Sequence, residues 1–183
     1  MARVAAKTRR PGKIPKTLPG PHRLTDALAV AEARCANRGE RLTPIRREVL
    51  GILLSTQGPL GAYDILERLG PHSGQAPYPR RPAPYAVYRA LAFLCDNGFV
   101  HRLESRNAYL ACLSPHAPGD LIIFLICEDC GTVGETASPQ VASGIESAVR
   151  AAQFTPKARI IEISGICTRC REKKADRKRA TNP

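Results

Sequence analysis

The amino-acid sequence predicts an α+β fold, with a helical N-terminal unit, a two-stranded hairpin and a small α/β unit at the end. Three observations predict this order. Apolar residues recur at helical spacing up to about residue 97, two short apolar runs then flank a polar turn, and two C-x-x-C pairs lie in the final third of the chain. A length of 183 residues accommodates one large domain or two small ones.

Four helices are expected before the hairpin, and their ends carry recognisable signals. They cover Leu24–Asn37, a segment starting at Thr43-Pro44, Ala62–Leu69 and about Tyr85–Asn97. Gly39 ends the first helix, and Thr43 is a cap residue followed by proline at the first helical position. The Pro- and Gly-rich stretch 70–82 is predicted to be a loop.

The hairpin is expected from two apolar runs around a polar turn. Its strands are Phe99–Leu103 and Ala108–Cys112, and the turn is Ser105-Arg106-Asn107. Helices followed by a two-stranded hairpin describe a winged helix, in which the later helices form a helix-turn-helix and the hairpin forms the wing. Residues 113–119, with two prolines, a glycine and a serine, are typical of a linker between domains.

The C-terminal unit is expected to combine three strands with one helix. The strands are Leu121–Ile126, Thr132–Glu135 and Ala158–Ile163, and the helix is marked by Val141, Ile145, Ala148 and Val149. A unit of about fifty residues is too small to bury a generous apolar core. We therefore expect it to need a metal ion and a partner subunit.

Two C-x-x-C pairs predict a structural zinc site. They are Cys127 with Cys130 and Cys167 with Cys170, and Gly131 follows the first pair, where a tight turn needs a residue that adopts positive φ. Two residues between thiols let one turn aim both sulfurs at one ion, and two such turns complete a tetrahedral shell of four sulfurs. A disulfide or redox interpretation has to explain why two pairs occur with matched spacing.

Composition favours the cytoplasm. The chain has no 18-residue apolar run that could span a membrane, and its basic N-terminus lacks the apolar stretch of a secretory signal. Seven cysteines, an odd number, in a chain without an export signal favour a reducing compartment with metal-bound and free thiols.

Net charge is +12, and it is concentrated at the two ends of the chain. Residues 1–23 carry seven basic and no acidic side chains, and residues 171–183 carry six basic side chains against Glu172 and Asp176. Basic tails attract nucleic-acid phosphate with salt-dependent, sequence-independent affinity, and a solvated tail that only aids solubility has the same composition. Any reading of DNA sequence must come from the nearly neutral body.

Several residue blocks carry a resemblance to a known family. They are Arg41-Leu42-Thr43-Pro44-Ile45-Arg46-Arg47, Ala62-Tyr63-Asp64-Ile65-Leu66, Val87-Tyr88-Arg89-Ala90-Leu91 and Gly98-Phe99-Val100-His101-Arg102-Leu103-Glu104-Ser105. In this order they resemble the ferric uptake regulator superfamily. Within it, Asn107-Ala108-Tyr109 leading to Cys112, together with the paired C-x-x-C turns, resembles the zinc uptake regulator branch.

The resemblance implies a metal-dependent repressor that binds double-stranded operator DNA as a homodimer, with dimerisation through the C-terminal domain. It implies zinc in structural and regulatory roles, with two or more ions per chain, and neither enzymatic activity nor a small-molecule substrate. Carried over residue by residue, the regulatory zinc ligands are His101, Cys112, Asp120 and Glu135. Related chains commonly have histidine in place of Asp120, so His116, on the same linker, is the alternative ligand.

One thiolate, one imidazole and two further nitrogen or oxygen ligands suit zinc better than a hard cation. The alternative is that His101 caps the wing and Cys112 is a buried thiol.

For DNA contact, the resemblance implies Arg89 at a purine base edge and Tyr63 at a base or thymine methyl. Tyr88 either packs or touches phosphate, and Arg80 and Arg81 are either phosphate contacts or parts of a solvated loop. The family usually has Pro-x-Thr-Val-Tyr-Arg at the start of its recognition helix, where this chain has Ala86 in place of threonine. Losing that hydroxyl removes a cap, worth about 1 kcal/mol, or a phosphate contact.

These expectations divide the chain into a basic disordered tail (1–23), a winged-helix DNA-binding domain (24–112), a hinge (113–119), a zinc-binding dimerisation domain (120–170) and a second basic tail (171–183). The expected function is a zinc-responsive transcriptional repressor of zinc uptake or homeostasis genes. The alternatives are an iron or peroxide sensor of the same superfamily, a constitutive nucleic-acid-binding protein with one structural zinc, and a zinc-ribbon thiol oxidoreductase. For the oxidoreductase, no candidate general base or oriented triad accompanies the Cys127 and Cys130 pair.

Overall fold

The computed structural model describes residues 21–56, 58–70, 82–112, 121–156 and 159–180. In chain order its elements are α1 (Pro21–Asn37), α2 (Pro44–Leu54), β1 (Leu60–Gly61), α3 (Ala62–Arg68), α4 (Pro84–Asp96), β2 (Val100–Leu103), a 3-10 turn (Glu104–Arg106), β3 (Ala108–Ala111), β4 (Ile122–Cys127), β5 (Val133–Thr136), α5 (Pro139–Ala151), β6 (Ile160–Gly165) and α6 (Thr168–Ala180). The predicted α+β class is confirmed. Among the described residues, no helix is both long enough and apolar enough to span a bilayer.

The N-terminal unit encloses one apolar core to which every helix and strand from α1 to β3 contributes. α2, α3 and α4 present stripes of buried residues at helical spacing, as in Val49, Leu50 and Leu53 of α2. Gly39 and Gly98 follow α1 and α4 with φ of 69°, the left-handed conformation that glycine tolerates. In this conformation the backbone amides after the helix can donate to the last unpaired helix carbonyls. The glycine stop predicted at Gly39 is therefore present, and Gly98 has the same conformation after α4.

Thr43 occupies the N-cap position of α2 with extended backbone angles, but its side chain makes no cap hydrogen bond. The helix start was predicted correctly, whereas the capping contact was not. Pro44 at the first helical position supplies a fixed φ without requiring that contact.

The hairpin β2–β3 is the wing, and it is antiparallel with Val100 opposite Ala111 and Leu103 opposite Ala108. Asn107, at φ 44°, closes its turn in the left-handed region. β1 adds a short third strand on β3, which gives the order β1-β3-β2. β1 was not predicted from the sequence, because two residues are too few to show the alternation of apolar and polar side chains that marks a strand.

The C-terminal unit has a three-stranded sheet in the order β5-β4-β6. β4 is antiparallel to β5 and parallel to β6, so it is the central strand. Its residues Ile122, Ile123, Phe124, Ile126 and Cys127 are buried, whereas α5 contributes no buried residue. Apolar burial in this unit therefore depends almost entirely on one strand.

The wing packs directly against that central strand. Leu103 and Phe124, both fully buried, form a second apolar cluster with Ile122 and Ile126, and Leu110 packs on its edge. The two units thus share a joint core at the wing, which we call the junction.

Two helical boundaries depart from the sequence prediction. α1 starts at Pro21, three residues inside the segment assigned to the basic tail, and α6 runs from Thr168 to Ala180 through residues assigned to the second tail. The described side chains from Arg171 to Arg177 are exposed, so α6 shows no apolar stripe from which a helix could be inferred. Most of the predicted 70–82 loop, with Arg80 and Arg81, and the 113–119 linker, with His116, lie outside the described residues, as does Asp120.

Candidate metal centres and nucleic-acid interface

The four predicted cysteines meet because β4 and β6 are parallel neighbours. Cys127 at the end of β4 lies opposite Gly165 at the end of β6, so both strands deliver their following turns to one place. In the first turn, the amide of Gly131, at φ 68°, donates to the Cys127 carbonyl at 2.9 Å. In the second, Cys167 follows β6 and Cys170 lies in the first turn of α6.

The sulfur geometry of this group, which we call the four-cysteine cluster, fits zinc. The Sγ atoms of Cys127, Cys130, Cys167 and Cys170 all lie within 4.8 Å of one another, and those of Cys130 and Cys167 are 3.8 Å apart. A tetrahedral zinc with bonds of about 2.3 Å separates its sulfur ligands by about 3.8 Å. The cluster is therefore already shaped as a tetrahedral thiolate shell.

Hydrogen bonds prepare two of these thiols to bind metal. The Cys167 amide, 3.4 Å from Cys127 Sγ, is the largest of the effects that lower the pKa of Cys127 to about 6. The Thr132 hydroxyl, 3.2 Å from Cys130 Sγ, lowers the pKa of Cys130. Burial, then the neighbouring thiols, raises the pKa of Cys170 to about 12. The metal-free cluster thus retains a proton at neutral pH, which metal binding must displace.

α6 is attached to the first turn by an ion pair. Lys174 Nζ donates to Asp129 Oδ1 at 2.8 Å, and this hydrogen bond raises the pKa of Lys174. The basic C-terminal helix is therefore connected to both C-x-x-C turns, through Cys170 and through Lys174.

A second group of metal-binding side chains lies at the junction. The donor atoms of His101, Cys112 and Glu135 all lie within 4.8 Å of one another, with His101 buried and the other two half-buried. Imidazole nitrogen, thiolate sulfur and carboxylate oxygen form a mixed set that suits zinc. The structure thus brings together three of the predicted regulatory ligands, and their role as ligands stays a prediction.

Backbone pairing explains why these three residues meet. His101 lies on β2, and Cys112 follows β3, where its amide donates to the Phe99 carbonyl at 2.9 Å. Glu135 lies on β5 directly opposite Phe124 of β4. The Phe124 ring is 5.4 Å from the His101 ring, so wing packing places the imidazole beside the carboxylate.

Two linker residues were predicted as alternative fourth ligands, Asp120 and His116. Both lie outside the described residues.

Exposed aromatic and basic side chains lie on α3 and α4. Tyr63, Tyr88 and Arg89 are all exposed, as residues that contact DNA must be in the free protein. Tyr85, 67% exposed at the start of α4, shares this surface, and it is not among the DNA contacts predicted from the sequence. Its exposure, unusual for a large aromatic, is visible only in the structure.

Ala86 is not at the cap of α4. The N-cap is Ala83, and Ala86 is the third helical residue, whose amide donates to the Ala83 carbonyl at 2.9 Å. The prediction that a lost threonine removes a cap was therefore wrong, and the phosphate contact remains as the alternative. Ala86 instead lines a cavity of about 210 Å³ with Arg46, Tyr85 and Arg89.

Arg46 braces α2 against α4 on the same surface. Its guanidinium lies 3.4 Å from the centre of the Phe93 ring, and its Nη1 donates to the Arg41 carbonyl at 2.6 Å. Such stacking of a cation on an aromatic face stabilises by about 0.5–1 kcal/mol at an exposed site. Arg46 is therefore engaged in packing rather than only part of an exposed helix face.

Comparison with known proteins places the chain among metal-dependent regulators. No family model matches it. It is 38% identical over 152 residues to the zinc uptake regulation protein of Escherichia coli (strain K12), covering 83% of this chain and 85% of that protein. A solved structure of a zinc uptake regulator complexed with zinc and DNA shares 36% identity at a TM-score of 0.74, covering 83% of this chain and 97% of that one. Holo XcZur shares 37% identity at a TM-score of 0.70, covering 80% and 98%.

The fold is a winged helix joined to an α/β unit. The wing and that unit share one group of potential metal ligands, and the unit carries four clustered cysteines. Together with the matched structures, these features define the class: regulators of the ferric uptake regulator superfamily. Both the identity and the coverage to the Escherichia coli protein are high. The chain belongs to the family of zinc uptake regulation proteins.

Proposed function

We propose that this protein is a zinc-responsive transcriptional repressor that binds operator DNA as a zinc-loaded homodimer and controls zinc uptake or homeostasis genes. One observation carries the proposal. Metal-binding side chains from the wing, His101 and Cys112, converge within 4.8 Å of Glu135 from the C-terminal sheet. A ligand set divided between the DNA-binding and C-terminal units is suited to a regulatory ion.

Zinc binding at this set supplies bonds that join the wing to β5. His101 and Cys112 hold the wing side, and Glu135 holds the side of the C-terminal sheet, with Asp120 or His116 as the fourth ligand. The angle between the two units then sets the separation of two recognition helices in a dimer, which must match major-groove faces about 34 Å apart. Such an equilibrium shifts about tenfold for each ~1.4 kcal/mol by which the ion binds one arrangement more tightly than the other.

Dimerisation through the C-terminal unit is supported by the apolar residues that the unit leaves open. Leu125 and Ile163 are cross-strand neighbours on β4 and β6, and both are exposed. Val141, Phe154 and Ile166 add further exposed apolar area. A surface of this kind on a small unit is typical of a subunit interface.

DNA reading is assigned to Tyr63 and Arg89, with Tyr88, Arg80 and Arg81 as supporting contacts. Their chemistry matches the task, because arginine donates two hydrogen bonds to guanine and tyrosine packs against thymine methyl. The protein is then a regulator and not an enzyme, and it acts in the cytoplasm where the DNA lies.

The test is operator binding titrated against buffered free zinc. The probe is a DNA duplex selected from a random library by the zinc-loaded protein, and iron(II) and manganese(II) serve as control metals. Zinc should strengthen binding at lower free concentrations than either control, with two zinc ions of unequal affinity per chain. One tight zinc per chain and metal-independent binding would instead indicate a constitutive nucleic-acid-binding protein.

A further inference from the structure

Glu162 of β6 forms a contact between the two units that involves no metal ligand. Its Oε1 accepts the amide of Glu104 at 2.7 Å, and its Oε2 accepts the amide of Ser105 at 3.2 Å as well as the Ser105 hydroxyl. Glu104 and Ser105 begin the 3-10 turn at the tip of the wing. One half-buried carboxylate thus satisfies three donors of the wing.

Strand register places this carboxylate in one row with the regulatory cluster. Phe124 of β4 lies opposite Glu135 on β5 and opposite Glu162 on β6. Directly opposed residues in a sheet point to the same face, so all three face the wing. Glu135 lies beside His101 and Cys112, Phe124 packs on His101, and Glu162 binds the turn.

Side-chain contacts link the turn to the strand that carries His101. Arg102 Nη2 lies 3.2 Å from Glu104 Oε2 and donates to Asn107 Oδ1 at 3.3 Å, which braces the turn across its own base. Arg102 directly follows His101 on β2. Holding the turn therefore also holds the imidazole in position.

We infer that Glu162 is a positioning residue that docks the wing on the C-terminal sheet before any regulatory ion binds, and thereby raises the affinity of the second zinc site. The inference rests on the proposed function for the identity of that site, but the docking itself does not. A carboxylate that accepts two backbone amides and a hydroxyl makes charge-assisted hydrogen bonds, which are stronger than neutral ones.

Glu162 affects the apparent zinc affinity through the fraction of molecules in which the wing is docked. His101, Cys112 and Glu135 can bind one ion only when the wing is docked, so the apparent dissociation constant is the intrinsic one divided by the docked fraction. Removing Glu162 lowers the docked fraction. Because hydrogen bonds to charged groups are strong, we expect the apparent dissociation constant for zinc to rise about tenfold. Saturating zinc restores docking, so operator affinity at saturation should change by less than about twofold.

The experiment compares Glu162→Ala with Glu146→Ala. Glu146 is a matched control, because its carboxylate accepts a hydrogen bond from Arg159 at 2.9 Å within the C-terminal unit. The second zinc equivalent is measured without DNA, by competition with a chelator, after the first equivalent and the unfolding midpoint are shown to be unchanged. Glu162→Ala should weaken this second site about tenfold, Glu162→Gln should weaken it less, and Glu146→Ala should leave it unchanged.

Hydrogen exchange of the Glu104 and Ser105 amides in the zinc-depleted junction provides a readout that does not depend on zinc. Exchange should accelerate in Glu162→Ala and remain slow in Glu146→Ala. Ser105→Ala, which removes only a hydroxyl from the wing, measures the same contact should Glu162→Ala fail to fold. Equal zinc affinity and equal amide exchange in the Glu162 and Glu146 variants would overturn the inference. If the unmodified protein bound no second zinc ion, the proposed function would be refuted, together with the effect of Glu162 on zinc affinity. Amide exchange alone would then decide whether Glu162 docks the wing.

Discussion

The N-terminal and C-terminal units of this protein are stabilised in different ways. In the N-terminal unit every helix and strand from α1 to β3 contributes to one apolar core. In the C-terminal unit the buried apolar residues lie on or next to β4, and α5 contributes none. The first unit can therefore hold its shape through packing, whereas we expect the second to need the four-cysteine cluster, a partner subunit and the wing.

This difference leads us to expect metal to serve folding at one site and signalling at the other. On the predicted assignment, zinc at the four-cysteine cluster takes the place of an apolar core, and its binding free energy is folding free energy. At the junction, the wing already packs against Phe124, so a metal ion has only to strengthen an existing contact. The same element can thus be structural at one site and regulatory at another in one chain.

The largest expected effect is loss of the C-terminal unit. Cys127→Ser or Cys170→Ser should each release a zinc ion and unfold the C-terminal unit or dissociate the dimer, because the cluster provides much of that unit's stability. Zinc content, sedimentation velocity and hydrogen exchange resolved by segment measure the change. Protection in α2 and α4 should persist. A double variant that stays a stable dimer with unchanged zinc content would show that the cluster is not structural.

The second-largest expected effect is loss of the zinc response in DNA binding without loss of structure. Cys112→Ser and His101→Ala should each abolish the zinc-dependent gain in operator affinity while leaving the structural zinc and the dimer intact. Cys95→Ser is a matched control, since burial raises the pKa of that thiol to about 11 and it lies outside the junction cluster. Normal zinc-dependent binding by Cys112→Ser would place the second site elsewhere.

The same titration distinguishes the remaining ligands. Asp120→Ala and His116→Ala, compared side by side, should single out one linker ligand, with the other nearly silent. Glu135→Ala should weaken the zinc response less than Cys112→Ser, because water replaces a carboxylate oxygen more readily than a thiolate.

A pair of apolar substitutions tests the contrast between the two units directly. Leu94 is fully buried in the N-terminal core, so Leu94→Ala should cost about 2–5 kcal/mol in urea denaturation. Ile163 is 50% exposed, so Ile163→Ser should change the stability of an isolated subunit by about 0.5 kcal/mol or less. Its effect should be on the dimer dissociation constant. Unchanged dimerisation would remove the open face of β4 and β6 from the interface.

Arg89→Ala should have a smaller and more selective effect. A good base contact contributes about 1–3 kcal/mol of discrimination, so the ratio of specific to non-specific DNA affinity should fall by about that amount. Zinc binding should be unaffected, because α4 contains no metal-binding residue of either cluster. A variant that loses specific and non-specific affinity in equal proportion would identify Arg89 as a phosphate contact.

Deleting residues 1–22 should have the smallest effect on recognition. Binding to all DNA sequences should weaken similarly and the salt dependence should become shallower, because the deletion removes the six basic side chains of Met1–His22 and no acidic ones. Affinity measured at several salt concentrations on operator and scrambled duplexes tests this. A change in operator preference would show that the tail reads sequence.

Local rules predicted helices α1 to α5, the wing and the four-cysteine cluster. Gly39, Pro44 and the two C-x-x-C turns act through backbone geometry within a few residues, so a sequence reveals them directly. α6 was missed for the same reason, because its charge-rich sequence lacks the apolar periodicity that marks a helix.

The junction could not be predicted from local rules. The predicted hairpin places His101 and Cys112 on facing strands, but their role as ligands and the addition of Glu135 came from the family resemblance, since nothing in the local sequence brings Glu135 to the wing. Glu162 was not selected at all, because its role depends on β6 lying parallel to β4 with Phe124 in register. Strand neighbours and register are tertiary properties, and a surface glutamate in a strand offers no other signal.

β4 also connects the two clusters along the chain. Phe124 and Cys127 are three residues apart on this strand, about 10 Å in an extended chain, so one short segment runs from the junction to the four-cysteine cluster. On the predicted assignment, zinc at the two C-x-x-C turns holds the ends of β4 and β6 together, and the pairing of β5 and β6 with β4 presents Glu135 and Glu162 to the wing. We therefore expect the chain to acquire its structural zinc ion before it can respond to a regulatory one.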